Sequence, residues 1–114
     1  MMLYLASPYS HPEERIRTRR YLATREFVYA QLQLGYPLVS PIVYCHQFAR
    51  DFGAPLDAKS WRYLNESLLI RSEAVWVLTL QGWDSSVGVK AELEAAELLG
   101  LPVTHHEPLL HANF

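Results

Sequence analysis

The chain has 114 residues, half of them hydrophobic and 19% charged. That is a globular composition with room for one domain over residues 1–114 and a core that needs no covalent staples. Ten Lys and Arg against twelve Asp and Glu leave a formal net charge of -2, which excludes the basic footprint of a nucleic-acid binder and points to small molecules as partners. Cys45 is the single cysteine and closes no internal disulfide. The opening residues lack the basic flank and long apolar run of a signal peptide, and no apolar stretch approaches the roughly 20 residues of a membrane span. A cytoplasmic protein without membrane association is expected.

In chain order, residues 2–6 form a short apolar run ended by Ser7-Pro8, which reads as a buried strand. A long helix follows. Ser10 and Glu13 stand in capping-box register with Pro12 in the first turn, Ile16, Ala23, Phe27, Ala30 and Leu34 share a face, and Gly35 is the stop. Arg15, Arg19 and Arg25 lie on the other face, and Arg17, Arg19 and Arg20 read as a solvated patch. Residues 37–40 are a second strand closed by Pro41, and residues 43–52 an irregular helical turn before Gly53-Ala54-Pro55.

Asp57 is placed to cap the next helix, which runs to about Ser72 with Trp61, Leu64, Leu68 and Leu69 inward. Residues 74–80, Ala-Val-Trp-Val-Leu-Thr-Leu, are apolar on both faces, as in a central parallel strand. Residues 82–86 are a loop, 87–99 a helix stopped by Gly100, and 101–104 a last strand. The alternation predicts a flavodoxin/Rossmann-like three-layer α/β fold, with a short parallel sheet of four to five strands in the order 2-1-3-4. That order opens a crevice between the carboxyl ends of strands 1 and 3. Ser7, Pro8 and Tyr9 on one loop, and Trp83, Asp84, Ser86 and Gly88 on the other, are the candidate substrate contacts.

One carboxylate stands on the wrong side of its helix. The turn-adjacent neighbours of Glu92 are Gly88, Val89, Ala95 and Ala96, whereas Glu94 and Glu97 share the polar side with Lys90. A buried carboxylate needs a partner or a task; the alternative is a glutamate at the edge of the stripe that only satisfies a hydroxyl. Tyr4, on the opposite face of strand 1 from Leu3 and Leu5, needs a partner for its hydroxyl, and Glu92 would serve. Asn65 is a second inward polar group, among Trp61, Leu68 and Leu69, while Glu66 is turned toward Arg62; a satisfied core amide is the alternative for Asn65. Ser85, Ser86 and Gly88 at a helix start suit an anion, although a serine at a helix start is most often just an N-cap.

Leu3-Tyr4-Leu5-Ala6-Ser7-Pro8-Tyr9, Ser40-Pro41-Ile42 and Gly82-Trp83-Asp84-Ser85-Ser86-Val87-Gly88-Val89-Lys90-Ala91-Glu92 together resemble the nucleoside 2-deoxyribosyltransferase-like superfamily over nearly the whole chain. The string Ser-x-Gly-Val-x-x-Glu is similar to that of the deoxynucleoside 5'-monophosphate N-glycosidases. The resemblance implies that Glu92 attacks the anomeric carbon and holds the sugar as an ester, by double displacement through an oxocarbenium-like transition state. It implies further that Tyr4 orients Glu92 and that Ser86 contacts a 5'-phosphate. Where the family has an aspartate that handles protons on the leaving base, this chain has Asn65, which cannot supply a proton. Asp84 or Asp57 could substitute if the crevice brings one within reach, or a base that is already a good leaving group needs little help; Glu66 is turned away. Ser86, where the transferase branch has an aspartate, favours hydrolase over transferase.

The expected function is therefore cleavage of a nucleoside or nucleotide N-glycosidic bond through Glu92, Tyr4 and Asn65; the alternative is a catalytically weak or silent nucleotide-binding protein. No cofactor and no metal are implied. His46, His105, His106 and His111 lack metal-site spacing, and adjacent Cys45 and His46 point apart, as a nucleophile and its base cannot. His46 is expected at the surface, the alternative being a base contact that lines the crevice. Trp76 is expected in the core with Trp61 packed under it, and Trp83 in a position to stack on a base or seal a subunit contact. The apolar tail from Glu107 to Phe114, with Asn113 as a candidate borrowed ligand, and the resemblance itself point to a homodimer or higher homo-oligomer.

Overall fold

The computed structural model describes residues 1–55 and 58–109. Its elements are β1 (Met2–Ala6), α1 (Glu14–Gln33), β2 (Leu38–Val39), α2 (Pro41–Phe52), α3 (Ala58–Ile70), β3 (Ser72–Leu78), a 3-10 turn (Trp83–Ser85), α4 (Val87–Leu99) and β4 (Val103–His106). The described residues contain one four-stranded sheet, ordered β2-β1-β3-β4 and parallel throughout. Tyr4 of β1 stands opposite Val39 on one side and Val75 on the other.

The two-residue period of the inner strands sorts the core into two layers. Leu3 and Leu5 pack with Ala23, Phe27 and Val28 of α1, Leu38 and Leu78. Tyr4 and Ala6 face the other way, toward Leu69 of α3, Val75 and Val77 of β3, and Val89 and Ala96 of α4. The sheet thus lies between helices on both faces, the expected flavodoxin/Rossmann-like arrangement, with β1 and β3 at its centre. No helix among the described residues is long and apolar enough to cross a membrane.

Several local expectations need correction. The first helix begins at Glu14, with Glu13 as its N-cap and no side-chain capping bond, so Ser10 and Glu13 form no capping box. The Ser10 carbonyl instead accepts from Arg20 Nη1 at 2.9 Å, and the His11 and Pro12 carbonyls accept from Arg17 at 2.6 and 3.1 Å. These bonds hold the segment out of the helix, and they show that Arg17 and Arg20 tether a loop rather than sit in a solvated patch. Leu34 is exposed, and the buried face of α1 is Tyr21, Ala23, Thr24, Phe27 and Val28.

Residues 41–52 form a regular helix, not an irregular turn. Pro41 both ends the strand and starts α2, because at the first helical turn its missing N–H costs nothing. In α3, Leu64 is exposed. Trp61 lies near Phe48, with ring centroids 6.3 Å apart, and donates from Nε1 to the Pro55 carbonyl. It does not pack under Trp76, which belongs to the α1 side of β3 beside Phe27 and stacks on His106; the sheet separates the two indoles. Asp57, Leu110, His111, Ala112, Asn113 and Phe114 lie outside the described residues, and the expectations placed on them stay there.

Candidate active site

A cavity of about 630 Å³ opens where the loops after β1 and β3 diverge, within the roughly 300–1,000 Å³ range of small-molecule sites. Ser7, Tyr9 and Ser10 form one rim and Gly82, Ser85, Ser86 and Gly88 the other, as the strand order predicts. Helix α2 adds Ile42 and Cys45, α3 adds Trp61, Arg62, Asn65 and Glu66, and α4 adds Glu92.

Glu92 is the centre of this arrangement. Its helix starts at Ser86, whose Oγ accepts from the Val89 N–H at 3.2 Å, and ends at Gly100 in the left-handed region. With α4 so fixed and its Val89–Ala96 stripe packed on β3, the side chain at position 92 is directed at the sheet. There the Tyr4 hydroxyl donates to Glu92 Oε2. Tyr4 is fully buried beneath the cavity. Burial pushes the Glu92 carboxyl up to about 7; the bond from Tyr4 pulls the other way and loses. Burial first, and the Glu92 charge second, push the Tyr4 phenol far above its ordinary range, so it remains a donor.

Burial pushes the Cys45 thiol up to about 12, with the Glu92 charge adding to the effect. Cys45 therefore stays a thiol on the wall, and a thiol is a poor nucleophile. His46, the next residue of α2, is buried; it hydrogen-bonds the Tyr9 hydroxyl through Nδ1 at 2.7 Å and stacks on Tyr21. The expected surface position for His46 is corrected: it backs Tyr9, and burial together with Arg50 and Arg17 lowers its pKa, which favours the neutral ring.

Asn65 and Glu66 both reach the cavity wall. The Oδ1 atom of Asn65 is buried with no hydrogen-bond partner, so it is not the satisfied core amide that was its alternative. Contrary to the turn away from the crevice that helical spacing predicts for Glu66, it lines the cavity together with Arg62. Adjacent positions on a helix diverge by about 100°, and a cavity as wide as this one accepts both. Glu66 and Glu92 are the carboxylates of the wall among the described residues. Of the other expected contacts, Pro8 is fully buried and Asp84 is exposed off the wall. Trp83 packs against the α4-side core and edge-on to His105, with centroids 5.0 Å apart.

Sequence reasoning missed Arg20. Besides holding Ser10, its Nη2 donates to the Gln81 carbonyl at 3.3 Å, and the guanidinium lines the cavity where the two rims meet. Gly82 makes room for it: φ is +92°, and a Cβ there would lie 2.7 Å from Arg20 Nη2. The rim thus combines a cation, two serines and the start of a thirteen-residue helix, a setting that favours an anion. Among the described residues, no three His, Cys, Asp or Glu side chains gather as a metal site.

No curated protein matches the sequence. Residues 1–107 match the family described as a domain of unknown function (DUF1937), and the chain belongs to that family.

Proposed function

We propose that the protein cleaves the N-glycosidic bond of a nucleoside 5'-monophosphate or nucleoside, with Glu92 as nucleophile. The observation that carries the reading is a half-buried carboxylate on the wall of a cavity of about 630 Å³, one of its oxygens held from behind by the Tyr4 hydroxyl. Such a carboxylate has a fixed orientation and a single open direction, toward the cavity. The resemblance to the nucleoside 2-deoxyribosyltransferase-like superfamily supplies the sugar as its target.

In this reading the free oxygen of Glu92 bonds to the anomeric carbon as the carbon–nitrogen bond breaks, and the electron pair leaves with the base. Water then opens the glycosyl ester, giving the free sugar or its phosphate and restoring Glu92. Asn65 has no proton to give. Glu66, the other carboxylate of the wall, protonates the departing base; help of this kind is worth roughly 10²–10⁴ in rate. Arg20, Ser85 and Ser86 hold the 5'-phosphate at the opposite rim, and the charge of Arg20 favours monophosphates over nucleosides. The same reading carries a homodimer or higher homo-oligomer, for which the exposed Tyr63, Val87 and Leu98 offer apolar surface.

The second reading, a nucleotide-binding protein without turnover, is favoured by one observation, the amide at position 65. Incubation with a panel of deoxynucleosides and their monophosphates, with free base followed by chromatography and binding by calorimetry, separates the two. Base release supports the glycosidase, and binding without release supports the silent binder.

A further inference from the structure

We infer that His46 is a positioning residue for the cavity: its neutral imidazole accepts from the Tyr9 hydroxyl and so latches the rim that follows β1, and a proton taken up by the ring releases that latch. The inference rests on the proposed nucleotide site for its ligand and adds a means of regulating that site. Tyr9 lines the cavity, while its hydroxyl bonds His46 Nδ1 at 2.7 Å. Both residues are buried, so water does not readily replace the bond when it breaks. The imidazole is itself held, stacked on Tyr21 of α1 with centroids 4.2 Å apart and edge-on to Tyr9. The rest of the segment is fastened to α1, through Arg20 on the Ser10 carbonyl and Arg17 on those of His11 and Pro12. The Tyr9–His46 bond ties it to α2 instead, the helix that brings Ile42 and Cys45 to the wall. That bond therefore sets the gap between the rim and α2.

The direction of the bond follows from its neighbours. The charge of Arg17 acts on Tyr9, and a guanidinium has donors only. The phenolic proton therefore turns to Nδ1, and the imidazole keeps its own proton on Nε2. A proton added at Nδ1 makes that atom a donor, and the phenol oxygen then faces two cations with no acceptor for its own proton. The surroundings oppose that state at neutral pH. Burial comes first, then Arg50 of α2 and Arg17 of α1, with only Glu14 of α1 pulling the other way. Arg25 adds a further positive charge over the Tyr21 ring, 5.5 Å from its centroid. The latch is thus closed at neutral pH and opens in acid.

The test uses the full chain with Glu92→Gln, in which no nucleotide is consumed and position 92 does not titrate. Binding of the four common deoxynucleoside 5'-monophosphates is followed by calorimetry, and opening of the rim by hydrogen exchange of residues 7–11. His46→Phe keeps a ring against Tyr21 without an acceptor, and Tyr9→Phe keeps the wall without the hydroxyl. Each should weaken binding about fivefold at pH 8, the two together no more than either alone, and each should speed exchange in the rim but not in the sheet. His46→Asn sets an amide oxygen near the place of Nδ1 and takes up no proton. It should bind within about twofold of its parent at pH 8. As pH falls through the His46 titration, read by NMR, the parent should lose about fivefold more affinity than His46→Asn; the titration of the phosphate is common to both. Additive losses, unchanged exchange in both Phe variants, or equal acid losses in the parent and His46→Asn would overturn the inference. Base release by the wild-type chain together with any of these sinks this inference alone. The expected pattern without base release sinks the glycosidase reading alone. If no nucleotide binds, that reading fails and exchange decides the latch: a rise confined to the rim supports it, and no rise overturns it.

Discussion

The Tyr4 hydroxyl donates to Glu92 Oε2 across 88 positions of sequence, joining the central strand to the last helix at the floor of the cavity. Because that bond lowers the Glu92 pKa against the effect of burial, its loss should move the titration upward. As a nucleophile Glu92 must be ionised, so its protonation should set the acid limb of kcat/KM for base release near pH 7, while the proton demanded of Glu66 sets the alkaline limb. In Tyr4→Phe this acid limb should shift to higher pH, with a smaller loss of rate at pH 9 than at pH 7. An unmoved limb would show that the bond does not tune Glu92.

The same carboxylate makes stability depend on pH. Its folded pKa, about 7, lies above the ordinary value of 4.5, so the folded chain binds the proton more tightly than the unfolded chain. The resulting penalty is absent below about pH 4.5, grows as pH rises, and is complete above about 7. Glu92→Gln keeps an oxygen for Tyr4 and removes the charge. It should be stabilising by up to about 3 kcal/mol at pH 8, a Tm rise on the order of 10 °C, and close to neutral at pH 4. Thermal melts of both proteins at the two pH values check this.

Gly82→Ala should cost roughly 1–2 kcal/mol from its positive φ alone and displace the Arg20 guanidinium that ties the two rims. A lower Tm with weaker binding of a monophosphate, but little change for the unphosphorylated nucleoside, is expected. Equal losses for both ligands would remove Arg20 from the phosphate end.

Glu66→Gln should lower kcat for base release by about 100-fold while leaving nucleotide binding within about twofold. The loss should shrink for a substrate whose base leaves readily without a proton. A loss of the same size for every leaving group would assign Glu66 a role other than proton donor.

Sequence pattern carried the inner strands, α4 and the inward turn of Glu92, because these follow from periods of 2 and 3.6 residues acting over a few positions. It also carried the strand order, and with it the crevice. What it missed depends on contacts distant in sequence. Arg20 reaches a carbonyl 61 residues away, and nothing in its own helix marks that reach. The layer that holds Trp61 is not legible in its helix, because the side of the sheet on which α3 packs is a property of the whole fold. For Glu66, helical spacing gives a direction but not the width of the cavity that the direction meets. The long helix α2 was hidden by Pro41, a residue that ends a strand and opens a helix with the same ring.

The most direct measurement is the amount of free base released from deoxynucleoside 5'-monophosphates by the wild-type chain and by Glu92→Ala at pH 8, with thermal melts showing both folded. The wild-type protein should release base and the variant none above the uncatalysed background. Equal release by both, or no release by the wild-type protein from any nucleotide of the panel, would contradict Glu92 as the nucleophile of a glycosidase.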